Sequence, residues 1–487
     1  MTEYALGNIE PAEVFRYFEE INKIPRGSGN EKAVSDYLVG FAKAHSLNVV
    51  QDKALNVVIK KPGTAGYEHS PVVVLQGHMD MVCEKEPDSS HDFLLDPIQM
   101  RVVGDMLFAS GTTLGADNGI AIAMGLALLA SDNIPHPPLE LLVTTNEETG
   151  MDGARELDPN HISGSTLINI DSEEEGVLTV SCAGGCTARI NIPVAWEKPD
   201  PALLFFEIAV NGLTGGHSGI EIHTGRANAN KLLARILADL NAKMNIALCL
   251  VEGGSKHNAI ARDARAVIGV NKQDESLLKE CAKGWGKTFG EEYAAADPGI
   301  CVDAGALETE PKMAMSKAGA DQVIRLLYLI PNGVQSMSMN IKGLVESSLN
   351  LGVVQTKEQS VEIISTLRSS VASIKENMFT TVKTLADMSN GAVVREGEYP
   401  EWRYNPTSRV RDILAAYYKE LFGEELKMDA IHAGLECAIF DKKFEEKMDM
   451  VSIGPTIIGA HTTQEHLSIP STQRTWAFLQ AALKALK

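Results

Sequence analysis

Three short apolar segments constrain the fold of this 487-residue chain most strongly. They span residues 72–77, 139–145 and 166–170, and each ends at a loop. Segments of this length, bounded by turn signals, are typical of buried strands. An apolar helical run over residues 120–129 lies between the first two segments. Strands that alternate with helices predict an α/β fold, with a mixed, mostly parallel sheet flanked by helices.

Acidic or imidazole side chains follow the end of each of these strands. They are His78, Glu147 with Glu148, and Asp171. Ligands of open α/β sheets gather beyond the carboxyl ends of the strands, so we expect these side chains to meet. Asp117 follows a glycine-rich stretch and begins the helical run. An ordinary helix-capping aspartate is the alternative there.

The chemical types of these side chains indicate a metal centre. His461 also sits where a hydrophobic run gives way to a loop. Nitrogen and oxygen ligands without cysteine fit zinc, manganese or cobalt. Two histidines and several carboxylates exceed the needs of one tetrahedral zinc, whereas a bridged pair of ions uses them all. We therefore interpret Asp117 as a carboxylate shared by two metal ions.

The doublet Glu147-Glu148 and the nearby Asp80 have distinct predicted roles. Neighbours in an extended segment point to opposite sides, so one glutamate can bind metal while the other stands free. A free carboxylate beside metal-bound water can act as general base and acid. Asp80 lies two residues after His78, on the same side of an extended chain, where a carboxylate can orient the imidazole.

The pattern of elements changes near Arg189 and changes back after Gly397. Between them we predict helices at residues 228–243 and 371–388. Predicted strands lie at residues 205–210, 247–251, 264–270, 326–330, 347–354 and 360–367. The sequence thus predicts a catalytic domain in two parts, residues 1–188 and 398–487. An α/β domain with an antiparallel sheet, residues 189–397, is inserted between them.

Four short motifs resemble those of the dinuclear-zinc peptidase clan that contains carnosinases and aminoacylases. They are Gly-His-Met-Asp at 77–80, Gly-Ala-Asp-Asn-Gly at 115–119, Thr-Asn-Glu-Glu-Thr-Gly at 145–150 and Asn-Ile-Asp-Ser-Glu-Glu at 169–174. Two longer strings, Asp-Ser-Glu-Glu-Glu-Gly at 171–176 and His-Thr-Thr-Gln-Glu-His at 461–466, are similar to the aminoacyl-histidine dipeptidase (peptidase D) branch of that clan. The resemblance extends over essentially the whole chain.

The resemblance implies a two-domain di-zinc exopeptidase fold and assigns roles to individual residues. Two Zn²⁺ per subunit are expected, with Co²⁺ or Mn²⁺ able to substitute. The implied metal ligands are Asp117 as the bridge, His78 and Asp171 on one ion, and Glu148 and His461 on the other. Asp80 would support His78, and Glu147 would be the general base and acid. His466 is then expected to be a surface or structural residue.

The inserted domain resembles the lid and dimerisation domain of the same clan. The resemblance implies a homodimer in which His217 reaches the partner subunit's site and stabilises the oxyanion. Asn258, Arg368 and Gly434 are similar to residues that contact the substrate's carboxylate and amide. For His217, Asn258, Arg368 and Gly434 the alternative is an ordinary loop or solvated residue with no role in the site.

Composition excludes several other classes of function. The formal net charge of −20 disfavours nucleic acid and anionic membranes as partners. No apolar run approaches the ~20 residues that cross a bilayer. The N-terminal residues 1–6 show no secretory signal pattern. Seven scattered cysteines suit a reducing compartment, so we expect a cytoplasmic protein.

We therefore expect a hydrolase that cleaves the amide bond of unblocked dipeptides. The resemblance implies a preference for Xaa-His substrates, including β-Ala-His (carnosine). An N-acyl-amino-acid amidohydrolase or a tripeptide aminopeptidase on the same metal centre is the nearer alternative. A catalytically silent dimeric binding protein is the farther one, and retention of both Glu147 and Glu148 argues against it.

Overall fold

The computed structural model describes Leu6 and residues 9–445 and 447–487. Most of residues 1–6, on which the expectation about a secretory signal rests, lie outside the described residues. The chain divides into two compact units. The first comprises the described parts of 1–182, 402–430 and 435–487, and the second comprises 183–401 and 431–434. The expectation that residues 189–397 act as a lid stays a prediction.

A mixed sheet organises the first unit. Among the described residues its strands run in the order Asn48–Gln51, Val57–Lys61, Leu139–Thr144, Val73–His78, Thr166–Asn169, Asp449–Ser452, Val177–Cys182 and Lys427–Ile431. The four strands from Leu139–Thr144 to Asp449–Ser452 pair in parallel, and the pairs before them are antiparallel. The strands Val73–His78 and Leu139–Thr144 are buried throughout their length, as expected for strands covered on both faces.

Helices and a small second sheet complete this unit. The helices are Ala12–Asn22, Lys32–Ala44, Ala116–Ala130, Glu147–Gly150, Asp152–Glu156, Arg409–Phe422, Glu436–Lys443 and Ile469–Ala485. The second sheet runs Ile457–Ile458, His466–Ser468, Met106–Ala109 and Met100–Val103. Ser408 and Ser468 cap the last long helices through their side chains. Parallel pairing brings the carboxyl ends of the central strands to one edge.

The second unit contains a largely antiparallel sheet. Its main path is Cys301–Ala306, Leu204–Asn211, Ala264–Val270, Ala247–Gly253, Val345–Thr356, Ser360–Ser369, Gly184–Pro193 and Ala392–Tyr399. Gly333–Met337 pairs beside Val345–Thr356, and a separate pair joins Trp196–Glu197 to Ala314–Met315. The helices are Ala229–Lys243, Glu275–Glu292, Lys317–Leu329 and Ala372–Met388.

Two local predictions are wrong. The strand predicted at 326–330 is the end of the helix Lys317–Leu329, which buries Val323, Ile324 and Leu327 at helical spacing. A short apolar run there fits either period, and Ser316 supplies the cap that decides for a helix. Residues 47–59 alternate along the sequence in the way that predicts a single strand. They form two antiparallel strands instead, because the chain turns between them at Leu55, whose φ is 67°.

Candidate metal centre

Asp117 lies between two imidazoles that come from distant parts of the chain. Its Oδ1 is 3.0 Å from His78 Nε2, and its Oδ2 is 3.1 Å from His461 Nε2. Gly115 turns the chain with φ 68° just before the helix, and Asp117 itself is non-helical. The carboxylate therefore faces the imidazoles instead of acting as a simple helix cap.

A second carboxylate accompanies each imidazole. Asp171 Oδ1 lies 3.4 Å from His78 Nε2, and Glu148 Oε2 lies 3.0 Å from His461 Nε2. Two ligands of one tetrahedral zinc, bonded at 2.0–2.2 Å, stand about 3.4 Å apart. Glu148 Oε1 is also buried without a hydrogen-bond partner among the described residues. The donor set thus fits two cations that share Asp117.

The electrostatics of this cluster favour bound positive charge. Hydrogen bonds to Asp117 and Glu148 raise the pKa of His461 to about 11. Burial alone would lower the pKa of His78, but the neighbouring carboxylates outweigh it and raise the pKa well above its usual value. Burial raises the pKa of Asp171 to about 6. Several carboxylates crowded out of water require cations to balance them.

Asp80 ties His78 to the segment that carries the two glutamates. Its Oδ1 is 3.3 Å from His78 Nδ1 and accepts the backbone N–H of Glu147 at 3.0 Å. Its Oδ2 accepts from the backbone N–H of Glu148 at 3.3 Å and from Ser28 Oγ at 2.8 Å. Burial alone would raise its pKa, but interactions led by His78 lower the pKa to about 2. An ionised Asp80 can therefore orient the imidazole.

The two glutamates do not lie on an extended segment, so that part of the prediction is wrong. They begin the helical turn Glu147–Gly150, because Asn146 reverses the chain with φ 55°. Their side chains nevertheless differ in surroundings: Glu148 pairs with His461, while loss of hydration raises the pKa of Glu147 well above its usual value. A carboxyl with a raised pKa can hold and release a proton near neutral pH.

The other predicted site residues lie in the second unit. His217 Nδ1 accepts the backbone N–H of Gly219 at 3.3 Å and of Ile220 at 3.1 Å. Arg368 donates to the hydroxyl of Tyr399 at 2.6 Å and is largely buried. The backbone carbonyl of Asn258 accepts from Ser218 N. Gly434 ends the short segment 431–434 of this unit.

Three buried charged residues were missed by sequence reasoning. Glu436 accepts from Gln76 at 2.5 Å and from Thr144 at 2.7 Å beneath the strand ends. Arg26 and Glu465 surround the loop that precedes Asp117. Glu465 lies inside the 461–466 motif that resembles the family. A charged residue within such a motif was the signal that could have identified it from the sequence. His466 stacks on Phe108 at 4.5 Å between ring centroids, in agreement with a structural role.

Comparison with known proteins places the chain in a family. Residues 74–485 match the profile of peptidase family M20/M25/M40. The chain is 40% identical over 481 residues, 99% of each sequence, to the cytosol non-specific dipeptidase of Escherichia coli K12. The chain therefore belongs to peptidase family M20/M25/M40, and it is a metallopeptidase.

Solved structures agree with this assignment. The crystal structure of aminoacylhistidine dipeptidase from Vibrio alginolyticus superposes with a TM-score of 0.95 at 36% identity, covering 99% of this chain and 98% of that one. A tripeptidase from Staphylococcus aureus shares the fold, with a TM-score of 0.57 at 16% identity over 98% of this chain and 99% of that one. The predicted α/β class and the predicted family are confirmed. No helix in the described part of the chain is long and apolar enough to cross a bilayer.

Proposed function

We propose that this metallopeptidase is a dipeptidase that hydrolyses the amide bond of unblocked dipeptides, with Xaa-His dipeptides such as carnosine preferred. The observation that carries the proposal is the placement of Asp117 between two imidazoles, each with its own carboxylate. The names of the Escherichia coli and Vibrio relatives support the substrate class. The word cytosol in the first name supports a cytoplasmic location.

The donor atoms support two Zn²⁺ per subunit, with Co²⁺ or Mn²⁺ as substitutes. His78, Asp171 and Asp117 Oδ1 would hold one ion, and Glu148, His461 and Asp117 Oδ2 the other. Such a pair polarises a carbonyl and lowers the pKa of bound water towards ~7. Asp80 Oδ1 lies 3.3 Å from His78 Nδ1, where its charge can orient the ring so that Nε2 is free to ligate.

Glu147 is the proposed general base and acid. Loss of hydration raises its pKa, so its carboxylate is basic enough to take a proton from water. The same proton then passes to the leaving amine. Asp80 fixes the backbone of this residue, which keeps the carboxylate at the same edge of the sheet as the proposed ligands.

His217 is the proposed oxyanion donor, contributed by a second copy of the chain. Because its Nδ1 accepts two backbone N–H groups, its proton resides on Nε2. Burial, together with Arg368, lowers the pKa of His217, so the ring is neutral and can donate from Nε2 at neutral pH. Arg368 can bind the substrate carboxylate through its planar fork, and Asn258 and Gly434 would contact the amide.

A substrate panel tests the proposal directly. Purified protein is assayed with carnosine, other Xaa-His and Xaa-Gly dipeptides, tripeptides and N-acetyl amino acids, each with and without chelator. We expect dipeptides to be cleaved, Xaa-His to have the highest kcat/KM, and chelator to abolish cleavage. Preferential hydrolysis of N-acetyl amino acids or of tripeptides would show that the protein is an amidohydrolase or a tripeptidase instead. No turnover of any substrate would refute the proposal that it is a peptidase.

A further inference from the structure

Glu465 lies buried beside the loop that carries Asp117. Its Oε2 accepts the backbone N–H of Leu114 at 2.7 Å and of Gly115 at 3.0 Å. Its Oε1 accepts the N–H of Ala116 at 2.8 Å and of Asp117 at 3.3 Å. These amides lie around the start of the helix Ala116–Ala130, where N–H groups lack partners within the helix. One side chain thus gathers four consecutive amides.

Glu465 also lies four residues after His461 on the same turn. That turn is held on its other side, where Glu86 accepts from Thr463 Oγ1 at 2.5 Å. The carboxylate of Glu465 therefore joins the segment of His461 to the segment of Asp117. Those two segments supply the atoms that lie 3.1 Å apart in the metal centre.

Arg26 contacts the same loop through a backbone carbonyl group of that loop. Its guanidinium is 1% exposed and donates to the carbonyl of Gly115 at 2.5 Å. It also donates to the carbonyls of Met79 and Asp80, both at 3.1 Å. Arg26 therefore joins the Asp117 loop to the segment that follows His78.

Glycines make room for the guanidinium. A Cβ on Gly115 would lie 2.4 Å from Arg26 Nη2, and one on Gly119 would lie 2.6 Å from the same atom. Gly115 also needs its left-handed backbone, with φ 68°. The close approach leaves little freedom for Arg26 to move relative to the loop.

We propose that Arg26 and Glu465 are positioning residues that set the spacing of Asp117 from His78 and His461 and thereby determine the affinity for the pair of cations. The inference rests on the proposed function only for the presence of that cation pair. Neither residue is among the proposed cation ligands or the proposed substrate contacts. Both act through the backbone that carries the donor atoms, in the way that outer groups orient ligands at other metal sites.

The test is Glu465→Gln against Glu140→Gln in the full-length protein. Gln keeps the shape, but its amide nitrogen cannot accept from two of the backbone N–H groups. Glu140 is a matched control because it is 1% exposed and accepts backbone N–H groups of Ser163 and Gly164, next to the amino-terminal end of the strand Thr166–Asn169. Zn²⁺ affinity is measured by competition with a chromophoric chelator, and Tm is measured with and without Zn²⁺.

We expect both variants to lower the Tm of the metal-free protein, but only Glu465→Gln to weaken Zn²⁺ binding, by about 10–100-fold. At saturating Zn²⁺, the kcat of Glu465→Gln should be much closer to the wild-type value than its Zn²⁺ affinity is. Equal Zn²⁺ affinity in wild type and Glu465→Gln, or equal losses in both variants, overturns the proposal. If Glu465→Gln does not fold, Arg26→Lys, which keeps the charge and loses the fork, carries the same expectation. Two Zn²⁺ bound by wild type without peptide cleavage would refute the proposed function and leave this inference standing.

Discussion

Replacing each of two adjacent glutamates by alanine should separate proton transfer from metal binding. Glu147→Ala removes the proposed base, whereas Glu148→Ala removes an oxygen that lies 3.0 Å from His461 Nε2. Asp80 accepts the backbone N–H of both residues, so the turn itself should survive either change. The two variants should therefore keep the same backbone conformation, and each should lose only one of the two functions.

The expected magnitudes follow from these contacts. Loss of a general base costs typically 10²–10⁴-fold, and a 10³-fold loss of kcat corresponds to about 4 kcal/mol. Glu147→Ala leaves all the proposed donor atoms in place, so metal content should stay at two ions per subunit. Glu148→Ala leaves the second ion with Asp117 Oδ2 and His461 alone, so content should fall to one.

Metal content by plasma mass spectrometry and kcat on a cleaved dipeptide, measured on the same preparations, check both expectations. Circular dichroism confirms that each variant is folded. Near-wild-type turnover by Glu147→Ala would refute the assignment of the base. Retention of two tightly bound ions by Glu148→Ala would refute the assignment of the second ion's ligands.

Three further predictions concern other parts of the chain. Mixing equal amounts of inactive Glu147→Ala and inactive His217→Ala and allowing subunits to exchange should restore about one quarter of wild-type activity. About half of the dimers are then heterodimers, and one of the two sites in each heterodimer is intact; no recovery would place both residues in one subunit. Gly77→Ala should lower the free energy of unfolding by about 1–3 kcal/mol, since its Cβ would lie 2.3 Å from Asn118 Oδ1, and an unchanged Tm would contradict this. Burial lowers the pKa of His432 to about 3; between pH 6.5 and 3 only the unfolded state binds this proton, so stability falls on acidification by up to about 1.4 kcal/mol per pH unit. His432→Asn should flatten that slope in chelator-treated unfolding scans, and an identical slope would disprove the contribution.

Local pattern was sufficient for much of the secondary structure. The strands Val73–His78, Leu139–Thr144 and Thr166–Asn169 lie within a residue or so of their predicted bounds, because short buried strands leave continuous apolar runs. The helix Lys317–Leu329 was missed where an apolar run suits either period. The helical turn at Glu147 was missed because one left-handed residue, Asn146, reverses the chain.

The sequence by itself determined which residue types were available to the candidate site and that strand ends would present them. It also carried the motifs by which the family can be recognised. Only the tertiary structure decided that Asp117 faces His78 and His461 with different oxygens, since those distances depend on packing between segments far apart in the chain. The positions of Arg26 and Glu465 likewise depend on packing between distant segments. The role of a buried charged residue depends on the partners that folding places around it. The spacing of residues along the chain does not specify those partners.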